Sequence, residues 1–250
     1  MQISRPFALL DREVTRAEFE ASAVARINGI DQTSPSPQHP MAAPPWYDSV
    51  RYCRWQTAQA GFTEVDQSYA DPKSLDSEVF AADPNPLAVG APLNWPLRLE
   101  KRGFRLPTES EWEIACRYGT RTPYGFGRDE SLLDRYGWFQ ENSGRQTHLP
   151  RTLRPNLAGL FDLHGNVNEW CHDWSGSYGS TSDPLGAATG SHRVLRGGGS
   201  AEACRSASRL GYEPAYRGSI AGFRLALSPS SAATEAETSQ AAEPTGVGTE

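Results

Sequence analysis

Residues 159–174, GLFDLHGNVNEWCHDW, constrain this chain more than any other stretch. They crowd three aromatic rings, a Gly-Asn turn, a cysteine and two histidines against three carboxylates, Asp162, Glu169 and Asp173. Large rings anchor a loop to a core, because each buries a large apolar area. Carboxylates and main-chain carbonyls beside them are then free to converge on a hard cation, which favours oxygen ligands. The alternative is a buried turn in which Glu169 accepts from the turn amides and no metal is held.

The rest of the composition sets the frame for this loop. A chain of 250 residues holds one large domain or two small ones, either able to bury a core. With 23 Gly and 19 Pro it favours irregular structure over long regular elements. A net charge of −6 argues against nucleic acid as a general partner. Much of that charge sits in residues 228–250, which carry Glu235, Glu237, Glu243 and Glu250 and no aromatic residue. Such a segment cannot offset its ordering entropy and is expected to be a disordered acidic tail. Four cysteines, Cys53, Cys116, Cys171 and Cys204, form no C-x-x-C pair and suit neither a zinc site nor a disulfide scaffold. No apolar run is long enough for a membrane span, and the first residues lack the apolar stretch of a signal peptide. A cytoplasmic protein without membrane contact is the expectation.

Local signals place three helices. Thr15 with Glu18 forms a capping box ahead of a helix expected to run to about Ile27, with Gly29 just past its end. Residues 31–45 are Pro-rich, and Pro44-Pro45 introduces a second helix from Trp46 to about Ala58. A second capping box, Thr108 with Glu111, starts a third helix over 109–118 that stops at Gly119. Strands are expected near 7–10, 102–106, 192–196 and 222–227, while 62–98 and 120–158 read as ordered but irregular.

Taken in order, Glu13-Val-Thr15, WYDSVRYC (46–53), GFRLPTESEWEIACR (103–117), the 159–174 segment and RVLRGGG…CRSASR…GFRLAL (193–227) resemble the formylglycine-generating enzyme, or sulfatase-modifying factor, family. The resemblance spans about 7–227. It implies an α+β, C-type-lectin-like fold with few regular elements and long loops, occupying 1–227 as one domain. The family's further N-terminal Gly-rich strand has no match ahead of Glu13.

The resemblance also implies chemistry. By position, Asp162, Gly165, Val167 and Glu169 would hold a structural Ca²⁺, two through side chains and two through carbonyls. Asn168 departs from the aromatic usual there. The family's oxidase chemistry needs two cysteines shortly after the glycine turn to bind copper. Here the region reads GGGSAEACRSASR, leaving Cys204 alone. One thiolate cannot give the two-sulfur ligation that suits Cu(I), so copper is not expected. Cys204 reads as a buried thiol, with a bridge to Cys116 or a catalytic role as alternatives. His164 and His172 read as supporting or surface groups. Arg205, Arg209, Tyr212 and Arg217 flank the expected ligand pocket, although such arginines also pair readily with Glu109, Glu111, Glu113 and Glu202. The function expected is a non-oxidase binding or regulatory module, a pseudoenzyme for a protein or peptide ligand, bacterial and cut from a larger multidomain protein. The alternative is an oxidase acting on a protein cysteine with an altered site.

Overall fold

The computed structural model describes residues 2–74, 94–177, 182–219 and 221–229. Most of the expected tail, and the larger part of the expected insertion within 62–98, lie outside the described residues.

The described elements run β1 (Ala8–Leu9), α1 (Arg16–Ala21), α2 (Trp46–Gln59), α3 (Glu109–Arg117), β2 (Asn168–Trp174), β3 (Arg193–Arg196), β4 (Leu210–Tyr212), β5 (Ala221–Gly222) and β6 (Ala226–Leu227). Short 3-10 turns at Glu64–Asp66, Pro72–Ser74 and Glu130–Arg135 punctuate long connections. This is the mixed α+β architecture that the family resemblance implies, and it is poor in regular elements, as the Gly/Pro content leads one to expect.

Two sheets organise it. One has the order β4-β3-β2-β5, antiparallel except for the parallel β2–β5 pair. The other is the antiparallel β1–β6 ribbon, which brings the two ends of the domain together. Beyond that ribbon, Leu10 N–H donates to the Leu225 carbonyl (2.8 Å) and Val14 N–H to that of Phe223 (2.9 Å). Glu13 is thereby laid beside the chain that carries Arg224.

The 159–174 segment is not one loop. Its second half is β2, the longest strand described, and every residue of β2 is buried. Both faces are covered, so the strand lacks the apolar/polar alternation by which strands are recognised. That is why it reads as a loop in the sequence.

Both capping boxes form as the sequence dictates. The first helix is nevertheless only six residues long, ending at Ala21 rather than near Ile27. Ala23 has φ +52°, outside helical backbone, and the Ser22 hydroxyl donates to the Phe19 carbonyl (2.6 Å). α3 closes with Tyr118 in the left-handed region (φ +39°), one residue ahead of Gly119. The expected strand at 102–106 is a single bridge, Arg105 to Ala226.

The main core joins α1, α2 and the two sheets. Phe19 stacks on Tyr52 at 5.6 Å and meets Phe223 edge-on at 6.1 Å. Trp46 and Trp170, both fully buried, each use the indole N–H, donating to the Cys171 and Pro44 carbonyls at 2.9 Å. Buried indoles that satisfy their one donor fix α2 against β2 in a single register.

Candidate functional site

The start of β2 is where the informative side chains meet. Glu169 is fully buried and receives Arg224 on both oxygens, Nε at 2.6 Å and Nη2 at 2.7 Å, with the Trp112 indole N–H at 2.9 Å. The alternative in which Glu169 accepts from the turn amides is therefore replaced by an ion pair. Arg224 also donates to the Leu10 carbonyl (3.1 Å) and the Phe161 carbonyl (2.8 Å), using its planar fork fully.

Two further carboxylates crowd this pair. Asp162 accepts Arg151 N–H at Oδ2 (2.9 Å), while its buried Oδ1 has no partner. Glu13 is fully buried, with neither oxygen partnered. Burial pushes the Glu13 carboxyl well above the usual range, and repulsion from Asp162 and Glu169 adds to this. Burial likewise lifts Asp162 to about 6. Three carboxylates thus share one guanidinium in a dry interior, where an uncompensated negative charge is costly.

Those orphaned oxygens are what a hard cation would use. Among the described residues, no three His, Cys, Asp or Glu side chains are grouped to hold a metal unaided. A calcium ion there would need main-chain carbonyls as well, as the Gly165 and Val167 expectation supposes. Asp162 and Glu13 offer free oxygens, whereas Glu169 would have to share its own with Arg224. Glu13 went unnoticed in the sequence as a site residue because it lies far from the acidic loop along the chain. Gly165 is fixed by sterics: a Cβ there would sit 2.1 Å from the Trp138 carbonyl oxygen, with φ at +155°.

Asp173, at the far end of β2, caps α3 by accepting the Glu109 N–H at 2.7 Å. Burial pushes its carboxyl up to about 7 against that hydrogen bond, with repulsion from Glu109 and Glu111 adding to the rise. A carboxylate raised above its ordinary 3.8 favours folding most when protonated. Its contribution is complete below about pH 4 and is lost as pH rises to about 7. Asp173→Asn is expected to flatten that window by on the order of 1–3 kcal/mol, read as urea midpoints at successive pH values. An unchanged pH slope would refute the assignment.

The acidic face of α3 absorbs several arginines. Arg105 pairs with Glu111 through two contacts (2.6 and 2.8 Å), both side chains fully buried. Arg196 meets Glu113 and Glu109, and Arg209 reaches Glu109 at 2.5 Å. Of the four residues expected to flank a pocket, Arg209 is thus held by α3. Arg205 lies near Glu130 (3.6 Å), Arg217 near Asp48 (3.8 Å), and Tyr212 stacks on Tyr216 at 4.1 Å. They do not converge on one point.

All four cysteines are free and buried, so Cys116 and Cys204 are not bridged. Burial pushes the Cys204 thiol up to about 12. The Cys116 sulfur lies 3.4 Å from the Ser206 hydroxyl and 3.8 Å from His164 Nε2. His164 Nδ1 faces the Cys204 carbonyl (2.8 Å) and Nε2 faces the Gly125 N–H (3.1 Å). A carbonyl only accepts and an amide N–H only donates, so these two bonds favour the tautomer with its proton on Nδ1. His164 and His172 are both buried, not surface groups.

A two-lobed cleft opens beside the start of β2. The larger lobe, about 570 Å³, lies between the 138–147 loop and the Gly198–Ala203 turn, and the smaller, about 270 Å³, borders Arg196 and Arg209. Asn168, Gly198, Ser200, Ala203 and Leu210 line both. Neither lobe is lined by a cysteine among the described residues. A larger groove of about 870 Å³ lies between Arg5, Val65 and Arg102. Its arginines are already paired, Arg5 with Glu111 and Asp183 and Arg102 with Asp66, so it offers less to a ligand.

Comparison with known proteins places these features. The family model for the sulfatase-modifying factor enzyme 1-like domain matches residues 1–229. The formylglycine-generating enzyme of Streptomyces coelicolor is 30% identical over 226 residues, covering 78% of this chain and 67% of that protein. Serine/threonine-protein kinase pkn1 of Chlamydia pneumoniae is 39% identical over 136 residues, half of this chain but only 21% of the kinase. The solved structure of Treponema denticola variable protein 1 superposes with a TM-score of 0.73 at 32% identity, covering 89% of this chain and 84% of that one.

Proposed function

Because the chain belongs to the sulfatase-modifying factor enzyme 1-like domain family, we propose that it serves as a non-oxidase binding or regulatory module built on a calcium-stabilised loop. The observation that carries this is the state of sulfur beside the glycine turn. Cys204 is fully buried with a thiol at about 12, and no thiol lines the cleft among the described residues. A buried, protonated thiol is neither a nucleophile nor a ready copper ligand. The larger lobe of the cleft is roomy and rimmed mostly with neutral polar groups, as a binding pocket is.

In this reading calcium is structural. It would lie against Asp162 and Glu13, with Glu169 and the Gly165 and Val167 carbonyls completing the set. When bound it supplies positive charge to a cluster that otherwise has one arginine for three carboxylates. The residues then act as a clasp, Glu13 tying the first strand region to the turn ahead of β2. Adding calcium to metal-free protein is expected to raise Tm by several degrees. Glu13→Gln is expected to stabilise the metal-free protein by about 1 kcal/mol while removing most of that calcium shift. A calcium shift as large in the variant as in the parent would exclude Glu13.

The functional reading is tested by elemental analysis of purified protein with an oxygen-uptake assay on a cysteine-containing peptide. Calcium without copper, and no uptake above the peptide blank, is the expected result. Copper-dependent oxygen uptake would overturn it. The kinase relative, of which the half of this chain that matches spans 21% of the length, supports a place beside other domains in a longer protein.

A further inference from the structure

We propose that Asn168 is a ligand-reading residue and that the cleft takes a neutral, hydroxyl-rich ligand of the oligosaccharide class. This rests on the binding-module reading above. Asn168 is 1% exposed and stands where the two lobes meet. Its Oδ1 accepts the Gly198 N–H at 3.1 Å, which fixes the amide orientation, and its Nδ2 has no partner. A buried amide donor left unpaired costs about 1–3 kcal/mol. Two donor hydrogens therefore await an acceptor at the junction of the lobes.

Gly199 places no side chain beside the amide, whose nitrogen is itself buried. A Cβ on Gly199 would meet only the Asn168 Nδ2, at 4.0 Å, so any side chain there would stand in front of the amide. Gly197 and Gly198 have φ of +107° and +96°, backbone suited to glycine that sets the turn over the amide.

The lining chooses the ligand. Among the described residues the larger lobe carries no carboxylate and one cation, Arg145, while the smaller carries Glu202 and the arginines Arg196 and Arg209, both already paired with carboxylates of α3. The larger lobe's other polar side chains, among them Gln140, Ser143 and Gln146, both donate and accept, as sugar hydroxyls do. Trp138 and Phe139, both half-buried, add aromatic surface for the apolar faces of sugar rings. A charged peptide would find little here to select its sign.

The experiment is a printed array of neutral and acidic glycans, alongside an array of unglycosylated peptides, probed with the full chain and with Asn168→Ala and Gly199→Val. The glycine variant keeps Asn168 and its bond to Gly198, so it separates ligand reading from folding. The expected result is binding of neutral glycans, weakened tenfold or more by each variant, with Tm of Gly199→Val close to the parent. No glycan above background, or binding that both variants leave within twofold, overturns the proposal. Peptide binding lost in both variants, with glycans blank, overturns the ligand class but leaves the binding module standing. Blank arrays together with copper-dependent oxygen uptake overturn both.

Discussion

Arg224→Met is expected to cost on the order of 3–5 kcal/mol, enough to unfold a domain of ordinary stability. Among the described residues Arg224 is the one cation pairing the fully buried Glu169 carboxylate at the start of β2, and it also satisfies two carbonyls from other segments. Its loss would leave Glu13, Asp162 and Glu169 facing one another without compensation. The Glu169 charge cannot escape to water, since that side chain is fully buried. Lysine is a poor substitute because it lacks the fork that meets both oxygens of Glu169. Replacing Arg224 and Glu169 together by apolar residues of similar volume is expected to recover much of the loss, since desolvating the pair carries its own cost. Guanidinium denaturation of the single and double variants, with and without calcium, measures this. A loss below about 1 kcal/mol for Arg224→Met would show that the cluster is not charge-limited.

Gly165→Ala is the second large effect, also expected at about 3–5 kcal/mol, from a collision and backbone strain together. The added methyl would meet the Trp138 main chain at 2.1–2.8 Å, and φ at +155° is unfavourable for any residue with a Cβ. Main chain cannot turn aside as a flexible side chain does, so the 138 loop and the 162–169 turn must separate. Gly119→Ala is the control. It shares a positive φ, +86°, but a Cβ there has nothing within 4 Å. Only the backbone term remains, about 1 kcal/mol. Equal losses for the two variants would mean that the close approach contributes nothing. The calcium-induced Tm shift should vanish in Gly165→Ala and persist in Gly119→Ala.

What was legible in the sequence was mostly local. The two capping boxes join residues three apart, Thr15 with Glu18 and Thr108 with Glu111, and both formed. The second helix follows from Pro45 and the run after it, and is observed over Trp46–Gln59. The ordered landmarks identified the family, and with it the fold. Where local signals conflict with tertiary demands, the tertiary contacts prevail. The first helix stopped early at a residue with positive φ that nothing in its composition announces. β2 is not legible as a strand because Asn168, Glu169, His172 and Asp173 are polar yet interior, each meeting a partner from elsewhere.

The sequence by itself determined the family, the helix starts and the density of acid and ring in 159–174, because these depend on neighbours along the chain. The tertiary structure alone decided which charges meet. Pairing of β1 with β6 and of β2 with β5 brings Glu13, Glu169 and Arg224 together from the beginning, middle and end of the domain. It also sets an unpaired Asn168 amide under a glycine turn between two lobes of a cleft. Such encounters depend on strand pairing over long separations, and no spacing within a motif encodes them.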